Sequence, residues 1–227
     1  MSSPGSSPVI RHLAPTRRSA RAFTLIELLV VIGLIALTAG VLGLALRRDN
    51  SSTALQSAQG TVASLLAATR SEAALKGSDA ALMIDNAPGD ADRYLHALVI
   101  AVQADGAWTQ SGDYVLLPAG AYVVPPTGAP IADGTVNFGS ATSSASLLVS
   151  DTLNGAPHLI VRYTPLGIPS NGSGGNLVLS TATLQSPASA SPILFNNAQN
   201  VRGLVLSAYG AVTFVNDASG FSNPSSN

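Results

Sequence analysis

Residues 25–46 read LIELLVVIGLIALTAGVLGLAL, an apolar run carrying one charge, Glu27. At about 1.5 Å per residue a helix of this length spans the roughly 30 Å hydrocarbon core of a bilayer. No second run in the chain competes with it, so the sequence predicts a single membrane-spanning helix near the N-terminus. The composition agrees. A hydrophobic share of 46% with 10% charged residues is high for an ordinary soluble domain, unless the apolar content is concentrated in one segment.

Upstream, residues 1–22 are rich in Ser and Pro and carry Arg11, Arg17, Arg18 and Arg21 with no acid. They have no apolar periodicity and read as a leader outside the fold, its positive charge placing the chain start in the cytoplasm. Arg47 and Arg48 flank the far end of the run and read as a stop at the other interface, with their stems snorkelling.

Downstream, residues 49–52 (DNSS) offer capping side chains, and Leu55, Ala58, Val62, Leu65, Leu66, Thr69 and Ala73 recur at three- and four-residue spacing. This predicts an amphipathic helix ending at Gly77, with Lys76 in the last turn where a cation suits the helix dipole. From residue 80 the texture changes to short apolar runs separated by Gly, Pro, Asn, Asp and Ser, the pattern of an antiparallel β-domain. Strands are expected at 80–84, 94–102, 114–117, 136–138, 147–149, 158–163, 177–179, 201–207 and 212–215. Asn154-Gly155 is a strong hairpin turn; residues 170–175 (SNGSGG) and 185–192 read as flexible loops. With 227 residues there is room for one domain plus an anchor. The expected class is α+β, a long N-terminal helix packed on an antiparallel sheet domain. Its parts are 1–22 leader, 23–48 transmembrane and assembly helix, 49–77 amphipathic helix and 78–227 β-rich domain.

Several chemistries are excluded or weak. Cysteine is absent, which removes disulfides, thiolate metal sites and a thiol nucleophile. Past Arg48, Asp49, Glu72 and nine further aspartates outnumber Arg70, Lys76, Arg93, Arg162 and Arg202, so no basic footprint for nucleic acid exists there. Asp85, Asp90 and Asp92 could in principle offer oxygens to Ca²⁺, but their spacing is not that of an EF-hand, and a solvated turn is the simpler reading. His12, His96 and His158 are scattered. Residues 172–175 (GSGG) lack an acid before the serine, and no G-x-S-x-G elbow occurs. The expectation is a non-enzymatic chain with no cofactor and no metal.

Glu27 is the residue whose presence demands a reason. A carboxylate within a lipid-facing segment is costly, so it is a functional hypothesis by default. The competing reading is that Glu27 lies within about one turn of the membrane edge and reaches headgroups and water.

Residues 21–30, Arg-Ala-Phe-Thr-Leu-Ile-Glu-Leu-Leu-Val, resemble the class III leader junction of type IV prepilins and type II secretion pseudopilins. The resemblance implies cleavage between Ala22 and Phe23 by a membrane-embedded prepilin peptidase, followed by N-methylation of Phe23, with Glu27 fifth in the mature chain. Ala22 departs from the family's usual glycine before the cut. Cleavage there would expose an α-ammonium with a reference pKa of roughly 8, cationic at neutral pH and still cationic after methylation. Glu27 of a neighbouring subunit is its natural counter-ion, and in a dry helix bundle each without the other would be an uncompensated charge.

Three further stretches are similar to those of H-type minor pseudopilins and FimT-like minor pilins: residues 68–73 (ATRSEA), 162–167 (RYTPLG) and 204–212 (LVLSAYGAV). The resemblance implies a structural, minor subunit of a type II secretion pseudopilus or a type IV pilus. Its partners would be other pilin or pseudopilin subunits through the N-terminal helix, the prepilin peptidase and the inner membrane, with the C-terminal domain in the periplasm. An alternative within the same resemblance is a FimT-like minor pilin whose β-domain captures an extracellular ligand such as DNA. The acidic balance argues against nucleic acid.

Overall fold

The computed structural model describes residues 25–126, 138, 146–185, 191–197 and 199–221, with the side chains of 39–50 outside the description. The expected leader, the Ala22–Phe23 junction and two residues of the expected strand at 136–138 therefore lie outside the described residues. The chain divides into two compact units, residues 1–45 and 46–227. Helix α1, Leu25–Lys76, contributes to both.

In the first unit the described side chains, residues 25–38, are all exposed. The Thr38 hydroxyl donates to the carbonyls of Leu34 and Ile35, both at 3.0 Å, so the run's one described hydroxyl is satisfied by its own helix.

In the second unit, α1 continues to Lys76 and stops where Gly77 takes φ +61°, the left-handed stop expected there. Among the described residues ten strands follow: β1 (Ala80–Asp85), β2 (Ala97–Ala104), β3 (Ala107–Leu116), β4 (Ala121–Val123), β5 (Val149–Leu153), β6 (Ala156–Tyr163), β7 (Gly175–Leu184), β8 (Ile193–Phe195), β9 (Val201–Leu206) and β10 (Val212–Val215). They form one antiparallel sheet in the order β3-β2-β1-β6-β5 and a second in the order β10-β9-β7-β4, with β8 beside β7. The α+β class holds, with the antiparallel β-domain built as two sheets.

A large core joins the helix stripe to both sheets. Leu55, Ala58, Val62, Leu66 and Ala73 are fully buried with Leu82 and Ile84 of the first sheet and Leu177, Leu179 and Leu204 of the second. Gln59 lies inside this apolar stripe and was not anticipated. Its Nε2 donates to the Gly203 carbonyl at 2.6 Å and the Val215 carbonyl at 2.9 Å, tying α1 to β9 and β10. Gly203 is glycine for a steric reason: a Cβ there would stand 2.1 Å from the Leu177 carbonyl oxygen and 2.8 Å from Phe221.

Several strand expectations are corrected. Strand β2 starts at Ala97, not residue 94, because Tyr94 lies in a turn and Leu95 takes φ +55°. Strand β3 begins at Ala107, seven residues before the expected start; it is joined to β2 through Asp105-Gly106, at φ 52° and 81°, a two-residue turn of the kind that favours Asp-Gly. Strands β4 and β8 were not anticipated. Strand β5 runs later than 147–149, whereas β7 extends well beyond 177–179 at both ends. The Asn154-Gly155 hairpin forms as expected, with φ 52° and 81°.

Within 170–175 the chain is held by its own side chain: Asn171 Nδ2 donates to the Gly174 carbonyl at 2.7 Å. Gly174 itself could not carry a Cβ, which would fall 2.2 Å from the Leu206 carbonyl oxygen.

Candidate functional site

The first candidate site is the N-terminal part of α1. Every large apolar residue described there is solvent-exposed, from 46% at Val31 to 82% at Leu25. Leu, Ile and Val occupy all sides of the helix in this stretch, so no rotation of it could turn a polar face outward. Glu27 lies in the first turn and is exposed. There its carboxylate also complements the positive end of the helix dipole, a local stabilisation independent of any partner. A Cβ at Gly33 would meet nothing within 4 Å, so that glycine is not required by packing among the described residues and leaves room for close approach. Ala22 and Phe23 cannot be placed beside Glu27, because they lie outside the described residues. Among the described residues no helix is long and apolar enough to cross a membrane.

A second feature emerges in the β-domain, where the three short stretches singled out in the sequence meet. Arg70, from 68–73, donates from Nη1 to the Gly210 carbonyl at 3.4 Å. A Cβ on Gly167 would lie 2.7 Å from Arg70 Nε, and one on Gly210 would lie 2.9 Å from the Gly167 carbonyl oxygen. Gly167 and Gly210 have φ of 70° and 78°, so both turns need glycine for conformation as well as for space. Tyr163 is buried at this node. Its burial pushes the phenol up to about 12, while the nearby Arg70 charge acts in the opposite direction. At the tips of the two turns Leu166 and Tyr209 are both exposed.

Of the three aspartates 85, 90 and 92, Asp85 and Asp90 are engaged with protein groups. Asp85 is buried, accepting from the Ala87 amide at 2.9 Å and facing Arg93 Nε at 3.4 Å; Asp90 lies 4.0 Å from the same Arg93 nitrogen. The arrangement as it stands is an arginine-centred network, buried at Asp85 and open to solvent at Asp90. His96, in the turn before β2, and His158, within β6, lie in different settings: His96 packs against Tyr122 and bonds the Ala121 carbonyl at 2.9 Å, whereas His158 is buried beside Tyr114.

The model of the prokaryotic N-terminal methylation motif matches residues 17–43. The matched residues include the stretch 21–30 on which the sequence resemblance rests. No curated protein matches the chain. Among solved structures, the minor pilin FimU of the Pseudomonas aeruginosa type IV system is similar at 16% identity, over 73% of this chain and 90% of that one, with a TM-score of 0.38. The minor pseudopilin EpsH of the Vibrio cholerae type 2 secretion system is similar at 13% identity, over 71% of this chain and 96% of that one, with a TM-score of 0.39. Likenesses at this distance carry no inference about partners or ligands.

Proposed function

We propose that this chain is a structural subunit of a bacterial pilus or pseudopilus. It is processed between Ala22 and Phe23 by prepilin peptidase, methylated at Phe23, and held in the inner membrane by residues 23–48 with its β-domain in the periplasm. The observation that supports this reading is the apolar, exposed run from Leu25 to Leu37 with one acid, Glu27, in its first turn. Such a run needs a cover of lipid or of other helices, and a methylation motif over 17–43 accompanies it.

Within the assembled bundle Glu27 pairs with the α-ammonium of Phe23 on an adjacent subunit. Both charges are then neutralised where water is scarce, and the pair sets the register between neighbouring helices. A minor position in the filament is the finer reading, drawn from the three short stretches that meet at Arg70. No role in chemistry is assigned to any residue.

The test is Glu27→Gln. Mature protein should still begin at Phe23 by N-terminal mass, yet the variant should fail to enter filaments isolated from the native host. Filaments of normal composition would sink the pairing. Ala22→Leu should accumulate the full-length precursor in the membrane; a mature N-terminus anywhere other than Phe23 would overturn the processing assignment.

A further inference from the structure

The first sheet brings its two edge strands together, and a buried histidine sits where they meet. In a flat sheet β3 and β6 would lie three strand spacings apart, roughly 14 Å, and β3 and β5 four, roughly 19 Å. Here the Tyr114 hydroxyl on β3 is 3.2 Å from His158 Nε2 on β6, and Trp108 Nε1 on β3 donates to Asp151 Oδ2 on β5 at 2.8 Å. The sheet is therefore curled, and its edges contact one another. Inside the curl is a second small core of Ala81, Met83, Val99, Ala101, Leu153 and Ile160, with Trp108 and Tyr114 packed over it.

His158 is 1% exposed. Its Nδ1 faces the Ala156 carbonyl at 3.0 Å; a carbonyl can only accept, so Nδ1 carries the hydrogen. In the neutral ring Nε2 is then an acceptor, and the Tyr114 hydroxyl is its donor. The charged groups around it are all engaged. Asp85 on β1 and Asp151 on β5 stand directly opposite His158 in the strand register. Asp85 is held by the Ala87 amide and Arg93, and Arg93 also stacks on the Tyr114 ring at 3.7 Å and approaches Asp90. Asp151 accepts from the Thr152 amide at 2.8 Å and from Trp108.

We propose that His158 is a proton-operated latch on the edge strand β3. Neutral, it receives the Tyr114 hydroxyl and leaves Asp151 to Trp108. When a proton from solvent adds at Nε2, the ring stops accepting from Tyr114 and donates to its hydroxyl oxygen instead, and a buried cation appears between two carboxylates that are committed elsewhere. The imidazolium draws Asp151 to itself, and Trp108 loses its acceptor. The Tyr114 contact then persists with its direction reversed, while the Trp108 fastening between β3 and β5 releases and β3 stays paired with β2. The proposal is independent of the filament reading.

Trp108 is the chain's sole tryptophan, so its emission reports the latch directly. In the full-length chain in detergent, that emission should show a single reversible step as the pH is lowered from neutral. His158→Asn should abolish the step, and His96→Asn should leave it in place. Absence of the step, or its survival in His158→Asn, overturns the proposal. Tyr114→Phe removes the hydroxyl alone and guards against a His158 variant that does not fold: it should move the midpoint by more than about half a pH unit, and an unmoved midpoint would likewise overturn the latch.

Discussion

Helix α1 holds two stretches that are equally helical and oppositely finished. In residues 25–38 leucine, isoleucine and valine point in every direction, and all are exposed. From Leu55 to Ala73 the residues Leu55, Ala58, Val62, Leu66 and Ala73 form one fully buried stripe with Leu65 half-buried beside it, while Ser57, Gly60, Ser64, Ala67, Ala68 and Ser71 face outward. The difference lies in spacing more than in composition. A stripe recurring every three or four residues can be covered from one side, and the β-domain of the same chain does so. A run apolar on all sides can be covered only by a surrounding medium, whether lipid or other helices. Pattern alone separates the stretch whose partner is internal from the stretch whose partner is not.

The sharpest way to break this comparison is to truncate one leucine in each stretch. Leu66→Ala should lower the unfolding free energy of the β-domain by about 2–5 kcal/mol, since a fully buried leucine is removed from a joint core. Leu29→Ala should leave the same denaturation midpoint within about 0.5 kcal/mol, as a surface substitution does. Both are read from Trp108 emission in denaturant. Equal losses would mean that the first stretch is also part of the folded core.

The next effect concerns the polar residue within the buried stripe. Gln59→Leu keeps the size and removes two donated bonds, leaving the Gly203 and Val215 carbonyls without them. About 1–3 kcal/mol should be lost, seen as a lower denaturation midpoint with an unchanged slope. A neutral result would show that apolar contact alone docks α1 on β9 and β10.

Gln59 also shows what was and was not legible in the sequence. The helix stripe was legible because helical periodicity in Leu55, Ala58, Val62, Leu66, Thr69 and Ala73 survives any tertiary context. Gln59 carries no such local signal, because the carbonyls that receive it belong to strands more than 140 positions away in sequence. Strand β3 was half missed for a related reason. Its residues Thr109, Gln110, Gly112 and Asp113 are exposed, so they carry no apolar alternation, and Asp105-Gly106 was the one local signal that could have revealed its start. The curl of the first sheet left no local trace, since it depends on Trp108 meeting Asp151 and Tyr114 meeting His158 across the sheet. At the candidate assembly site, Glu27 was legible from its oddity in a greasy run, whereas Ala22 and Phe23 rest on resemblance and motif alone.

A smaller effect is expected at the node where Arg70 meets the turns of Gly167 and Gly210. Arg70→Leu keeps most of the aliphatic stem and removes the guanidinium, so stability should fall by about 1 kcal/mol. Its signature is local. The amides of Gly167 and Gly210, which donate to the Thr164 and Ser207 carbonyls at 2.8 and 2.9 Å, should exchange faster, while amides in the centre of β1 should not. Uniform acceleration would mean the residue supports the whole domain rather than these turns.

The smallest expected effect tests the far edge of the cover over the buried stripe. Asp217 Oδ1 accepts from the Ser219 amide and hydroxyl and from the Gly220 amide, fastening the short turn Ala218–Phe221 whose last residue is buried in the large core. The Ser219 hydroxyl first, and the Gly220 amide next, hold this carboxyl below its ordinary value of 3.8. A carboxyl depressed in the fold contributes stability above its unfolded value and loses it as the pH falls through the folded one. Asp217→Asn keeps an oxygen acceptor but no titrating charge. The thermal midpoint of the wild type should therefore exceed that of the variant near neutral pH, and the gap should narrow as the pH falls below the ordinary carboxyl value and through the lowered folded one. A gap of the same size throughout would show that the turn is held by shape, and that the charge on Asp217 contributes nothing to keeping Phe221 in place.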